Sequence, residues 1–284
     1  MIYVDTLISG ASLCGIISAA AESKNRRKVL LINQYGFPGG SITESLNLYQ
    51  KIDKFLLEES DLMKKIFTSI QSSKYGLLLN ESNRVVVNPE TLKYVLQKEL
   101  EKFNVDVLFH VQPRKVVFVE NDNYEIFLTG REGEIKVKAS KIIDASENHQ
   151  ISIQTGRKRT LLKSRLNFIA NKIKGGPVEF IDRKYDMVQL EDGRLWIAVN
   201  IDIKNEEFIE IASHERTNEF SEILRRCNSR IQILPAQTQM IYSIEEQKGK
   251  LPNCFTVDDM LDRKYESHEE IKKAVDFEKL LKHG

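Results

Sequence analysis

The sequence predicts an α/β fold, a parallel sheet flanked by helices, and three observations carry that expectation. A short strand, a glycine turn and a small-residue helix follow one another within residues 3–22. A second strand, Val29–Asn33, is apolar until its last residue, as in a sheet buried on both faces. Lys141–Asp144 then returns one more parallel-type strand to the same sheet. The 284 residues give room for a sizeable core, as one large domain or two interlocked ones. A composition of 41% hydrophobic and 29% charged residues excludes a disordered or fibrous chain. Forty-two Lys and Arg against 41 Asp and Glu give a net charge of +1, so no global field favours nucleic acid or a membrane surface. Cys14, Cys227 and Cys254 are scattered and lack any CxxC or His-rich spacing, so no metal site is expected and the setting is a reducing cytoplasm. Residues 1–6 carry neither a basic head nor a long apolar run, and neither a signal peptide nor a membrane span is expected there.

The elements follow in order. Tyr3–Ser9 forms the first strand, Gly10–Gly15 the turn, and Ile16–Glu22 the helix, with Lys24–Lys28 as a solvated basic loop before Val29–Asn33. A helix is expected over about Lys51–Ser72 and a strand over Arg84–Val87. Asn88 caps the next helix, Pro89 suits its first position, Glu90 faces the positive end of its dipole, and Leu92, Val95, Leu96 and Leu100 make its apolar stripe. After the strand Val105–Phe109, runs at Lys115–Glu120, Tyr124–Thr129 and Glu134–Lys138 form an antiparallel meander, turning at Asn121-Asp122 and Gly130–Gly133. The second half is mixed. It has strands at Leu166–Ala170 and Arg194–Ile201, a turn at Glu191-Asp192-Gly193, a helix over about Glu206–Cys227, and a Lys- and Glu-rich amphipathic helix or tail from Asp262 to Gly284.

A glycine turn between a first strand and a first helix lets backbone amides approach a pyrophosphate. Here the G-x-G-x-x-G pattern is Gly10-Ala11-Ser12-Leu13-Cys14-Gly15, with serine at its middle glycine. Asn33 stands where an acidic residue normally accepts ribose hydroxyls. The run Tyr35-Gly36-Phe37-Pro38-Gly39-Gly40-Ser41 frees backbone for close contact with a flat or anionic group. Other chemistry-bearing residues have simpler readings: His149 as an exposed loop histidine, Cys14 as a small packing residue, Trp196 as a core aromatic.

These residues, with Val87-Asn88-Pro89-Glu90 and Lys141-Ile142-Ile143-Asp144-Ala145-Ser146, resemble the FAD-dependent oxidoreductase family of the glutathione-reductase-type FAD fold. They match its phosphate turn, its "YGFxGG" loop, its "VDPE" helix start and its "VIDATG" strand. The resemblance implies a three-layer FAD/NAD(P)-binding Rossmann-like region over residues 1–150, including a β-meander at about 115–138. A mixed α+β substrate-side region at 151–261 and the charged segment 262–284 would follow. It implies FAD as cofactor, with Gly10, Ser12 and Gly15 on the pyrophosphate, Asn33 at the adenosine ribose, Gln34 among the cofactor-binding residues, Gly39, Gly40 and Ser41 toward the flavin, and Ala145 against the cofactor.

The departures bear on how firmly FAD is held, if it is held at all. Ser12 and Asn33 replace the usual residues, Glu147 stands where the family has glycine, and Pro113 has no amide to offer adenine. No "NLLVAGR"-like strand with a final cofactor-facing helix is recognisable before Gly284. Two readings follow: an FAD-dependent oxidoreductase acting on an unknown small molecule, its site completed by a partner chain, or a non-catalytic subunit keeping the fold as a binding or scaffolding partner. Either is expected to assemble as a homo- or hetero-oligomer, since a missing last strand and helix would leave an apolar face uncovered. An S-adenosylmethionine methyltransferase would show a similar glycine loop, but neither the meander nor the Gly-Phe-Pro-Gly-Gly run.

Overall fold

The computed structural model describes residues 1–119, 123–172, 185–203, 206–245, 251–261 and 264–283. The expected turn at Asn121-Asp122, the start of the charged segment at Asp262 and its end at Gly284 lie outside these. In chain order the elements are β1 (Ile2–Ser9), α1 (Leu13–Lys24), β2 (Val29–Asn33), α2 (Ser41–Glu44), β3 (Tyr49–Lys51), α3 (Lys54–Leu57), α4 (Asp61–Ser72), β4 (Leu77–Asn80), β5 (Arg84–Val87), α5 (Pro89–Leu100), β6 (Val105–Phe109), β7 (Val111–Val119), β8 (Asn123–Gly130), β9 (Gly133–Asp144) and α6 (Gln150–Gln154). The second half adds β10 (Arg159–Ala170), β11 (Tyr185–Gln189), β12 (Leu195–Ile201), α7 (Ile209–Arg226), β13 (Ile231–Ile233), β14 (Gln239–Ile244), β15 (Cys254–Thr256), α8 (Val257–Met260) and α9 (Glu270–His283).

The main sheet runs β6-β2-β1-β9-β8-β7. β1 lies parallel between β2 and β9, with Ile8 opposite Leu31 on one side and Ile143 on the other. β9 is one long strand where the sequence suggested two. Its first half belongs to the antiparallel meander with β8, and its second half pairs in parallel with β15, Thr256 opposite Asp144. That β15 pairing corrects an expectation. The last parallel strand and the closing helix are present in this chain, with sequences unlike the family motif.

Glycine fixes how closely α1 meets the sheet. Gly10 takes φ +98°, and a Cβ on Gly15 would stand 2.0 Å from the Gly10 carbonyl oxygen. Gly15→Ala should therefore push α1 off β1 at a cost of about 3 kcal/mol. Thermal denaturation should show a midpoint lower by roughly 10 °C; an unchanged midpoint would contradict this packing.

The expected helix 51–72 is interrupted. Ser60 caps α4, accepting from the Met63 amide, and the Glu278 carboxylate of α9 reaches the same turn, bonded to the Ser60 hydroxyl and 3.1 Å from the Leu62 amide. Asn88 caps α5 as the sequence indicates, accepting from the Glu90 and Thr91 amides.

A second sheet, β11-β12-β10-β13 with β14 also on β10, carries the mixed half. Alternation along β12 decides its faces. Leu195, Ile197 and Val199 pack under α7 with Phe220 and Leu224, whereas Trp196 and Ala198 face the main core. Trp196 is buried as expected, donating from its indole nitrogen to the Leu46 carbonyl at 2.8 Å and stacking on Tyr49. α9 lies on α1 and buries Ile271, Ala274, Val275 and Phe277 in that core.

Candidate functional site

The turn after β1, the end of β2, the loop 34–41 and the residues after β9 converge at the carboxyl ends of the parallel strands, where open α/β sheets bind ligands. All nine residues singled out from the sequence lie there. Gly10 and Gly15 set the turn. The Ser12 hydroxyl accepts from the Gly15 amide at 3.2 Å and donates to the Ala145 carbonyl at 2.9 Å, so it caps α1 and ties it to β9. The loop folds back over that turn: the Gly39 amide donates to the Ala11 carbonyl at 2.7 Å, and a Cβ on Gly40 would lie 2.8 Å from the Ser12 Cβ.

Asn33 faces inward. Its Oδ1 accepts from the Ala11 amide at 3.2 Å, and its Nδ2 donates to the Phe37 carbonyl at 2.9 Å and to Glu44 Oε1 at 3.1 Å. Gln34 spans the opening, its Oε1 accepting from Gln150 Nε2 at 2.7 Å. Glu147 takes the centre, where its Oε1 accepts from the Ser41 amide at 3.0 Å. What remains of the crevice among Ser9–Ser12, Asn33–Tyr35, Glu44 and Ala145–Asn148 is about 20 Å³, the room of one water molecule.

Beside it opens a cleft of about 980 Å³, walled by Ser12, Cys14 and Glu147 on one side, β14 on another, and β15 with α8 and α9 on the third. Its floor is charged. Burial works against the Lys273 ammonium, but Asp258 at 2.7 Å, then Glu270, keep it well above the usual lysine range. The Glu270 carboxyl is pushed up by burial and by the charge of Glu147. Glu44 is raised to about 7 by burial and then by Glu147, against the hydrogen bond from Asn33. The Cys14 thiol is buried and pushed far up, so it is the packing residue expected. His149 departs from expectation. It is buried, 3.5 Å from Asp258, and lines the cleft, because its backbone takes φ +52° at the start of α6. Among the described residues no group of three or more His, Cys, Asp and Glu is arranged to hold a metal, and no helix is long and apolar enough to cross a membrane.

The family model described as FAD dependent oxidoreductase matches residues 5–281, nearly the whole chain. The chain belongs to the FAD dependent oxidoreductase family. Among solved structures, p-nitrophenol 4-monooxygenase PnpA from Pseudomonas putida DLL-E4 superposes with a TM-score of 0.67 at 12% identity, covering 99% of this chain and 80% of that one. A geranylgeranyl bacteriochlorophyll reductase-like protein from Thermoplasma acidophilum gives 0.65 at 12% identity, over 99% and 78%. Aklavinone-11 hydroxylase in complex with FAD and aklavinone gives 0.59 at 13% identity, over 89% of this chain and 56% of that one. At such identities the likeness is one of fold. Among curated proteins none matches the sequence.

FAD is the cofactor of this family, and the residues present do not fit it in the crevice. The room is one water, and the amides of Ala11, Gly15 and Ser41 already have acceptors within the chain. Two acidic side chains, Glu44 and Glu147, line the crevice. Another anion placed beside them would meet the repulsion of a like charge. The sequence reading missed Glu44, Gln150, Asp258, Glu270 and Lys273. Only Glu270 and Lys273, one turn apart in a recognisable amphipathic segment, carried a local signal.

Proposed function

We propose that this chain is a ligand-binding member of the FAD dependent oxidoreductase family that keeps the fold, works without a resident dinucleotide, and uses the large cleft as its binding site. One observation carries the reading: Glu147, Asn33 and Gln34 fill the crevice with the chain's own side chains. The ligand class follows from the cleft's walls. Leu162, Ile241, Leu251 and Met260 suit an apolar body, and the mixed charges beside them, Glu147 and Asp258 with Arg157 and Lys273, suit a polar group at one end of it. An assembly partner, in this reading, engages a finished fold, because β15 and α9 already cover the face that a partner was expected to cover.

The flavin-enzyme reading is supported by the family match over residues 5–281 and by the backbone of the crevice. Gly10, Gly39 and Gly40 hold positive φ around the crevice, the backbone of a phosphate-binding loop with its ligand position filled. An absorption spectrum of the purified protein, before and after heat denaturation, separates the two. The binding-member reading predicts no flavin absorbance and none released by heat; stoichiometric flavin would overturn it.

A further inference from the structure

Glu147 departs from the family pattern at the point where the departure is most consequential. It follows Ala145-Ser146, directly after β9, and reaches back across the crevice to the backbone of the loop 34–41. Its Oε1 takes the Ser41 amide and lies 2.7 Å from where a Cβ of Gly40 would be, so carboxylate and glycine backbone are in close contact. The same Gly40 position is 2.8 Å from the Ser12 Cβ, so the loop, the carboxylate and the first turn of α1 meet there. Only a residue without a side chain fits at 40, and what its missing side chain leaves room for is Glu147.

Glycine-rich backbone with outward amides is the chemistry that receives a phosphate oxygen, and here it receives a carboxylate oxygen of the same chain. The other contacts closing the crevice are neutral. Gln34 meets Gln150 and Asn148 through amide groups, and Asn33 satisfies the Ala11 amide without charge. The remaining acid, Glu44, is bonded to Asn33 and Gln237 and does not reach the Ser41 amide.

We propose that Glu147 is a built-in anion occupying the place of a ligand phosphate on the Gly39-Gly40-Ser41 backbone, and that its charge, more than the neutral side chains beside it, sets the crevice against nucleotides. The inference rests on the reading of the crevice as filled from within, and goes beyond it by assigning the largest share of the discrimination to one residue. Removing the side chain leaves the Ser41 amide unpaired, the Gly40 backbone uncovered and one negative charge fewer. The Gln34 and Gln150 pair that remains is neutral and half-buried.

The test is isothermal titration of ADP into wild type, Glu147→Gly and Glu147→Gln, each first shown to be folded by circular dichroism and its thermal midpoint. Glu147→Gly is expected to bind ADP at least about tenfold more tightly than wild type. Glu147→Gln, which keeps the volume and removes the charge, should fall between them and still decides the matter if the glycine variant fails to fold. Folded variants no tighter for ADP than wild type would overturn the proposal, as would wild type binding as tightly as Glu147→Gly. Flavin content of the wild-type protein reads the binding-member proposal separately. A wild type carrying flavin refutes that reading, whereas unimproved variants of a flavin-free protein refute only the role of Glu147.

Discussion

A chain ending at Glu269 should fail to fold, and Phe277→Ala in the full chain should lower stability by roughly 3–5 kcal/mol. Helix α9 contributes Ile271, Ala274, Val275 and Phe277 to the main core, each at most 4% exposed. At about 1.5–3 kcal/mol for each large apolar side chain, their burial sums to roughly 6 kcal/mol or more. A domain's whole net stability is about 5–15 kcal/mol. The helix also holds α4, because Glu278 binds the Ser60 hydroxyl and the Leu62 and Met63 amides at its start. Circular dichroism of the shortened chain should show loss of the cooperative thermal transition. A melt like that of the full chain would mean that α9 is peripheral.

The second large effect is a fall in stability from acid toward neutral pH. Glu44 has an ordinary value of 4.5 and is raised to about 7 in the folded chain, by burial and then by the charge of Glu147. The folded state therefore holds the Glu44 proton more tightly than the unfolded state. Its contribution is complete below pH 4.5 and is lost as pH rises to about 7, by roughly 3 kcal/mol. Glu270 is shifted in the same direction and adds to the fall. Asp258 and Asp259 oppose it on the acid side. Although burial alone would raise both, Lys273 and Arg157 respectively hold them below the ordinary aspartate value, and their contribution is lost only under stronger acid. Urea denaturation at pH 5 and pH 8 should find wild type less stable at pH 8. In Glu44→Gln part of that difference should disappear, the rest remaining with Glu270. An identical pH dependence in the two proteins would contradict the account.

How much of this was legible in the sequence depended on whether the signal was local. The first βαβ unit announced itself because β2 is apolar up to its last residue and α1 follows a turn that only Gly10 and Gly15 permit. Helix α5 was fixed by Asn88, Pro89 and its apolar stripe, all within one turn of where they act. β15 was not legible: Cys254–Thr256 is three residues long, and pairing with β9 makes it a strand. The break before α4 was hidden for a similar reason, since half of its cap comes from Glu278, 218 residues beyond Ser60.

At the site, the sequence brought the right residues together without showing which way they face. An asparagine at the end of β2 differs from a glutamate by carrying two donor hydrogens. Loop carbonyls and Glu44 supply acceptors for them, so Asn33 turns inward and binds its own loop. For the same reason Asn33→Glu, which would strengthen a ribose contact in an open crevice, here sets a second carboxylate against Glu44. Glu147 was visible as a misplaced charge, but its partner, the Ser41 amide, lies 106 residues earlier and is reached only in the folded chain.

The central claim is that this member of the FAD dependent oxidoreductase family fills its dinucleotide crevice with its own side chains. Titration of the wild-type protein with FAD, followed by flavin fluorescence and repeated by equilibrium dialysis, tests it most directly. The account predicts no saturable binding while the protein remains folded. Stoichiometric, saturable binding of FAD by the unmodified chain would contradict it.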